Sequence, residues 1–217
     1  MVAILAVGTS RQEPSGGGEV AVPSLRRMLQ FPNVETVAAA IGSLALMGPA
    51  AAAAVPDIDA GAAKFPRQLQ LECASALSSI TGDPARGLPV LVQSLENSDP
   101  LGRKAAAEKI AVLASLSHAA IPGLLRCATD PDETVRAAAV LTLGRIQAPH
   151  DQVVPHIAAR LSDPADEVRY AAAVALSGYG AYARPALTHL RACIRDRVEK
   201  VAKCAAAAVE KIEAGEL

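Results

Sequence analysis

The chain has 217 residues, a formal net charge of −1 and 51% hydrophobic residues, with 2% aromatics and no Trp. At 20% charged residues and a mean hydropathy of +0.26 it is too apolar and too near neutral to be disordered, and it lacks the surplus of Lys and Arg that non-specific nucleic-acid binding needs. Forty-seven residues are Ala, so its core is predicted to come from closely packed helices rather than from aromatic wedges.

Met1-Val-Ala-Ile-Leu-Ala-Val is apolar for seven residues. It has no basic n-region and is too short to span a bilayer, so the reading is a cytoplasmic chain with no membrane partner, or an exported one if this start is a trimmed signal. Residues 1–20, with Ser15-Gly-Gly-Gly18, read as a flexible lead. Beyond them the chain repeats itself. Pro23, Pro56, Pro89, Pro122 and Pro155 are spaced by 33. In step with them run positions 36, 69, 102, 135, 168 and 201, with small or apolar residues four, eight and eleven further on: Ala139, Leu143 and Ile146, or Ala172, Leu176 and Tyr179. Offsets of 0, +4, +8 and +11 mark one face of an α-helix and not of a strand.

Each unit divides into two helices. The first is predicted to begin at its proline, where φ is preset and the missing N–H costs nothing. A break follows at Asp99-Pro100, Asp130-Pro131 or Asp163-Pro164. In Asp130-Pro131-Asp132-Glu133, Asp130 is the expected cap of the second helix and Glu133 the residue that closes a capping box. One such hairpin leaves an apolar face bare, so stacking on its neighbours supplies stability.

The 33-residue period lacks the T-P-L-H turn of ankyrin repeats and the aromatic landmarks of tetratricopeptide repeats. Pro122, Asp130, Val135 and Arg136, then Pro155, Asp163, Val168 and Arg169, followed by Ala-rich helices and by Leu143-Gly-Arg-Ile146, resemble HEAT repeats of the short bacterial type first associated with phycobilisome lyases. The resemblance covers residues 21–213. It implies an all-α, right-handed solenoid (an α-α superhelix) of about six units, near 21–53, 54–86, 87–119, 120–152, 153–183 and 184–213, followed by a tail at 214–217. It also implies a ladder of Asp–Arg hydrogen bonds between units. Phe31 and Lys64 stand where the Asp belongs, and Val37, Gln70 and Ala202 where the Arg belongs; the third unit offers Asn97 or Asp99 with Arg103. The ladder is therefore expected in the central units, through Asp99, Arg103, Asp130, Arg136, Asp163 and Arg169.

No catalytic grouping stands out. His118, His150, His156 and His189 fall at different repeat phases, and the sequence has no His-Glu dipeptide, P-loop or G-x-S-x-G. Cys73, Cys127, Cys193 and Cys204 form no C-x-x-C pair and read as small buried hydrophobes. No cofactor or metal is expected. The resemblance places the second helices on the inner, concave surface, where offsets +2, +6 and +9 point away from the core stripe. Of these, Lys104, Glu108, Leu141, Tyr170, Val174 and Lys203 make an apolar patch with charged ends that suits a protein partner. Arg191, Arg195, Arg197, Lys200 and Lys203, against Asp196 and Glu199, give the last unit a local excess of positive charge. The expected function is a non-catalytic scaffold or adaptor. The alternative that the resemblance raises is a bilin lyase/isomerase or a phycobilisome-associated factor.

Overall fold

The computed structural model describes residues 17–62, 64–113 and 118–215. Every regular element among them is helical, in six successive hairpins. They pair α1 (Gly17–Met28) with α2 (Val34–Met47), α3 (Val55–Ala62) with α4 (Arg67–Thr81), and α5 (Leu88–Ser94) with α6 (Pro100–Leu113). Next come α7 (Ile121–Cys127) with α8 (Glu133–Arg145), α9 (His150–Ala159) with α10 (Asp166–Tyr179), and α11 (Leu187–Cys193) with α12 (Glu199–Ala214). Short 3-10 stretches at Gly48–Ala54 and Gly180–Ala186 lead into α3 and toward α11.

The second helices stack in order: α2 on α4, α4 on α6, α6 on α8, α8 on α10 and α10 on α12. Among the described residues, the elements in extensive contact belong to the same hairpin or to adjacent ones. The +4 and +8 positions are buried in all six second helices, from Ala40 and Leu44 to Ala205 and Val209. Small residues set the spacing. A Cβ added at Gly144 of α8 would lie 2.8 Å from the Ala175 Cβ of α10, and one added at Gly87 would lie 1.7 Å from the Ala74 carbonyl oxygen of α4. Polar bonds across the same seams follow the apolar packing. The Thr142 hydroxyl donates to the Ala107 carbonyl at 3.0 Å and the Tyr179 hydroxyl to the Leu143 carbonyl at 2.9 Å.

Among the described residues, most buried apolar side chains fall into two groups. One joins the first two hairpins through Val37, Ile41, Leu44, Ile58, Leu77 and Ile80. The other runs from Leu71 and Ala74 to Ile212. Helix α4 contributes to both. The stretch Val34–Ala62 is apolar and long enough to cross a membrane by composition. It is interrupted at Gly48, whose φ is +55°, and buries Ile41, Leu44 and Ile58 in the first of these cores.

Three local expectations are corrected. Pro56, Pro89 and Pro122 do lie at the second residue of their helices, but Pro23 and Pro155 lie inside α1 and α9. In α9 a second proline, Pro149, sits at the N-cap and starts the helix one turn earlier. Helix α1 begins at Gly17, so the last four residues of the expected lead belong to it, while residues 1–16 lie outside the described residues. Ala214, expected in the tail, ends α12.

Candidate functional site

Charged residues between hairpins form a polar feature that recurs at the repeat spacing. Arg103 donates from Nε and Nη2 to both carboxylate oxygens of Asp130, at 2.7 and 2.8 Å. Arg136 does the same to Asp163 at 2.9 and 2.8 Å, and Arg169 to Asp196 at 2.7 and 3.0 Å. The remaining Nη1 of each arginine donates to two carbonyls of its own hairpin's loop: Asn97 and Ser98, Asp130 and Pro131, Asp163 and Pro164. Each aspartate also accepts the N–H two residues on, from Asp132, Ala165 and Val198 respectively. Every rung thus ties one loop to the next with planar, bidentate geometry that only a guanidinium supplies.

Asp130 is not the cap of α8. Its carboxylate is committed to Arg103 and to the turn over Pro131, and Asp132 takes the cap, accepting from the N–H groups of Thr134 and Val135. Glu133 is then the first helical residue and cannot close a capping box. Asp99 is the counterpart of Asp132: it accepts from the Leu101 N–H, while Asn97 occupies the position of Asp130, Asp163 and Asp196. Gln70, where an arginine would have to stand, donates to the Phe65 carbonyl. The rungs therefore begin at Arg103, and the last reaches Asp196 in the sixth hairpin, beyond the central units.

Burial alone would raise the carboxyls of Asp130 and Asp163. The hydrogen bonds and charge of Arg103 and Arg136, with the Asp132 and Ala165 N–H groups, outweigh it and hold both below the ordinary carboxylate range. Asp196 is lowered chiefly by its hydrogen bonds from Arg169. Cys73, Cys127 and Cys193 are buried free thiols and Cys204 is half-buried. Burial pushes the thiols up, that of Cys73 to about 12, so they make poor nucleophiles. Cys127 and Cys193 donate to the Leu95 and Leu161 carbonyls of the preceding hairpins. Among the described residues no group of three His, Cys, Asp or Glu could hold a metal ion.

The outward ridge of the second helices has a different character. Lys104 and Glu108 pair along α6 at 3.8 Å. Leu141 of α8 is half-buried and leans on the core, and Tyr170 and Val174 of α10 are half-buried. From α12, Lys200 places its ammonium 3.9 Å from the centre of the Tyr170 ring and pairs with Glu167 of α10 at 3.4 Å. Lys203 pairs with Glu199 at 2.6 Å. Offset +9 does not belong to this ridge throughout, because Gly144 is buried against α10. Sequence reasoning missed Leu101 and Val112 on α6, which are 71% and 62% exposed. Their offsets, −1 and +10, lie within about 40° of +6 at 100° per residue, and that arithmetic would have found them.

The family described as HEAT repeats matches residues 57–144, 88–176 and 121–210. The chain belongs to the HEAT-repeat family. No curated protein matches it. Among solved structures this HEAT-repeat chain is similar to an engineered protein from a structural genomics consortium, at 24% identity over 90% of this chain and 97% of that one, with a TM-score of 0.61. It is also similar to a designed armadillo repeat protein in complex with the peptide (KR)4, at 21% identity over 88% and 99% of the two chains and a TM-score of 0.62. At these identities the likeness shows the α-solenoid fold, and a fold of this kind is typically a scaffold for protein interactions.

Proposed function

We propose that this HEAT-repeat chain is a non-catalytic scaffold that binds a segment of a protein partner along the ridge of α6, α8, α10 and α12. The observation that carries the reading is the exposure of Leu101 and Val112 on the same ridge as Leu141, Tyr170 and Val174. A solvated ridge is ordinarily polar; here apolar side chains alternate with Lys104, Glu108 and Lys203, the composition of an interface with charged flanks. The stacked hairpins hold the ridge rigid, so little ordering entropy opposes binding. That a similarly folded designed protein carries a bound peptide supports a protein partner as the class.

The test is affinity capture from the native lysate with the parent and with a Val112→Glu, Tyr170→Glu double variant, after melting has shown both to be folded. Partners recovered by the parent and lost by the variant are the expected result; identical partners for both would overturn the ridge as the binding surface. The bilin lyase/isomerase alternative predicts a shifted visible band when the protein is mixed with a free bilin, and the scaffold reading predicts none.

A further inference from the structure

Most charges along the second helices cancel in pairs: Lys104 with Glu108, Lys200 with Glu167 and Lys203 with Glu199. Arg145, the last residue of α8, and Lys211, in the last turn of α12, are different. Neither side chain has an ion-pair or hydrogen-bond partner among the described residues. Both stand at offset +10. The negative end of each helix dipole steadies them there, but it leaves their N–H donors open to a carboxylate. Glu210 is unpaired too, yet at +9 it lies about 100° round α12 from Lys211. That is the side which Gly144 of α8 turns to the next hairpin.

Across the six second helices, offset +10 reads Leu46, Ser79, Val112, Arg145, Gly178 and Lys211, with no acidic residue. Leu46 is 91% exposed and Val112 is exposed as well. Arg145 and Gly178 are exposed and Lys211 is half-buried. The row is therefore uncharged over α2, α4 and α6 and cationic over α8 to α12. Gly178 presents bare backbone between the two cations, since nothing lies within 4 Å of a Cβ added there. Glu35, the one charged residue of α2, is ~16 Å along the helix axis from Leu46. Packed helices lie ~8–10 Å apart, which sets Arg145 and Lys211 ~16–20 Å apart, or about five or six extended residues. Resting on the ridge as the binding surface, we propose that the partner supplies an extended peptide segment lying along this row. The segment is apolar where it crosses α2 to α6 and acidic where it crosses α8 to α12, with carboxylates on Arg145 and Lys211.

The probe is a library of displayed random peptides of ~15 residues, long enough to follow the row when extended, selected on the full-length protein at low salt. Asp or Glu should be enriched at two positions about five or six apart, with an apolar run to one side. The selected peptides should bind an Arg145→Glu, Lys211→Glu variant about tenfold or more weakly, and added salt should shrink the difference. Melting checks that this variant is folded, and the milder Arg145→Gln, Lys211→Gln pair should weaken binding in the same direction. Enrichment of basic or uncharged peptides overturns the proposal, as does enrichment of none. Acidic peptides that bind the reversed variant as well as the parent also overturn it. The ridge itself is judged separately: loss of the selected peptides on Val112→Glu, Tyr170→Glu retains it, and their survival there removes it too. A mass of two chains by light scattering that falls to one in the reversed variant also overturns the acidic segment, because a second copy then occupies the row.

Discussion

Arg136 holds Asp163, whose side chain is 2% exposed, and the carbonyls of Asp130 and Pro131 at once. Truncating it strands a buried carboxylate and two carbonyl groups, so Arg136→Ala is expected to cost about 3 kcal/mol. Arg136→Lys should recover less than half of that, since an ammonium cannot reproduce the fork. Thermal or urea unfolding measures both, and a parent-like Arg136→Ala would deny the rung any structural role. The same pairs set the acid limit. The carboxyls of Asp130, Asp163 and Asp196 are lowered in the folded chain, so their contribution is present in full above the unfolded value of about 4 and is lost as pH falls through the lower folded values. Melting temperature should stay level from neutral pH to about 5 and drop below about 4. Asp163→Asn should lower the neutral plateau and make the acid decline shallower. A decline equally steep in that variant would place the acid sensitivity elsewhere.

Between elements, close approach decides which substitutions are tolerated. Gly144→Ala must force α8 away from α10, because the new methyl would meet both the Cα and the Cβ of Ala175 within 3.0 Å; a loss of about 1–3 kcal/mol is expected. Gly178 on α10 has nothing within 4 Å of an added Cβ, so Gly178→Ala should gain about 0.5–1 kcal/mol from helix propensity alone. Equilibrium unfolding of the pair tests whether steric contact, rather than glycine content, governs the seam. The period of 33 and the stripe at 0, +4, +8 and +11 made the hairpins legible in the sequence, because every repeat buries the same side chains. The caps were harder to read. Asp130 and Asp132 are both good cap residues, and only the position of Arg103, 27 residues upstream, decides that Asp130 is taken by the rung. Leu101 and Val112 escaped notice because adjoining offsets on a helix share a face, and Gly144 was misplaced because the distance to the next helix is not written in one repeat.

Across the whole molecule the stabilising features are unevenly spread. The three bidentate rungs join the third hairpin to the fourth, the fourth to the fifth and the fifth to the sixth. At the seam before them Gln70 donates back to the Phe65 carbonyl and the Asn97 side-chain oxygen accepts from the Asp99 N–H, so no rung of this kind forms there, and the Lys109–Glu72 pair crosses it instead. The buried side chains also separate into two groups at α4. In a linear stack, stability is a sum of unit and nearest-neighbour terms, so a weak seam lets the part beyond it open by itself. The first two hairpins are therefore expected to exchange amide hydrogens through a local opening of lower free energy than α8 and α10, whose core amides should exchange only on global unfolding. Hydrogen exchange followed by mass spectrometry under native conditions measures this directly. Arg136→Ala should then raise exchange in α8 and α10 toward the rate of α2 while leaving α2 unchanged; equal protection of α2 and α8 in the parent would mean that the seam at α4 transmits stability as well as the rungs do.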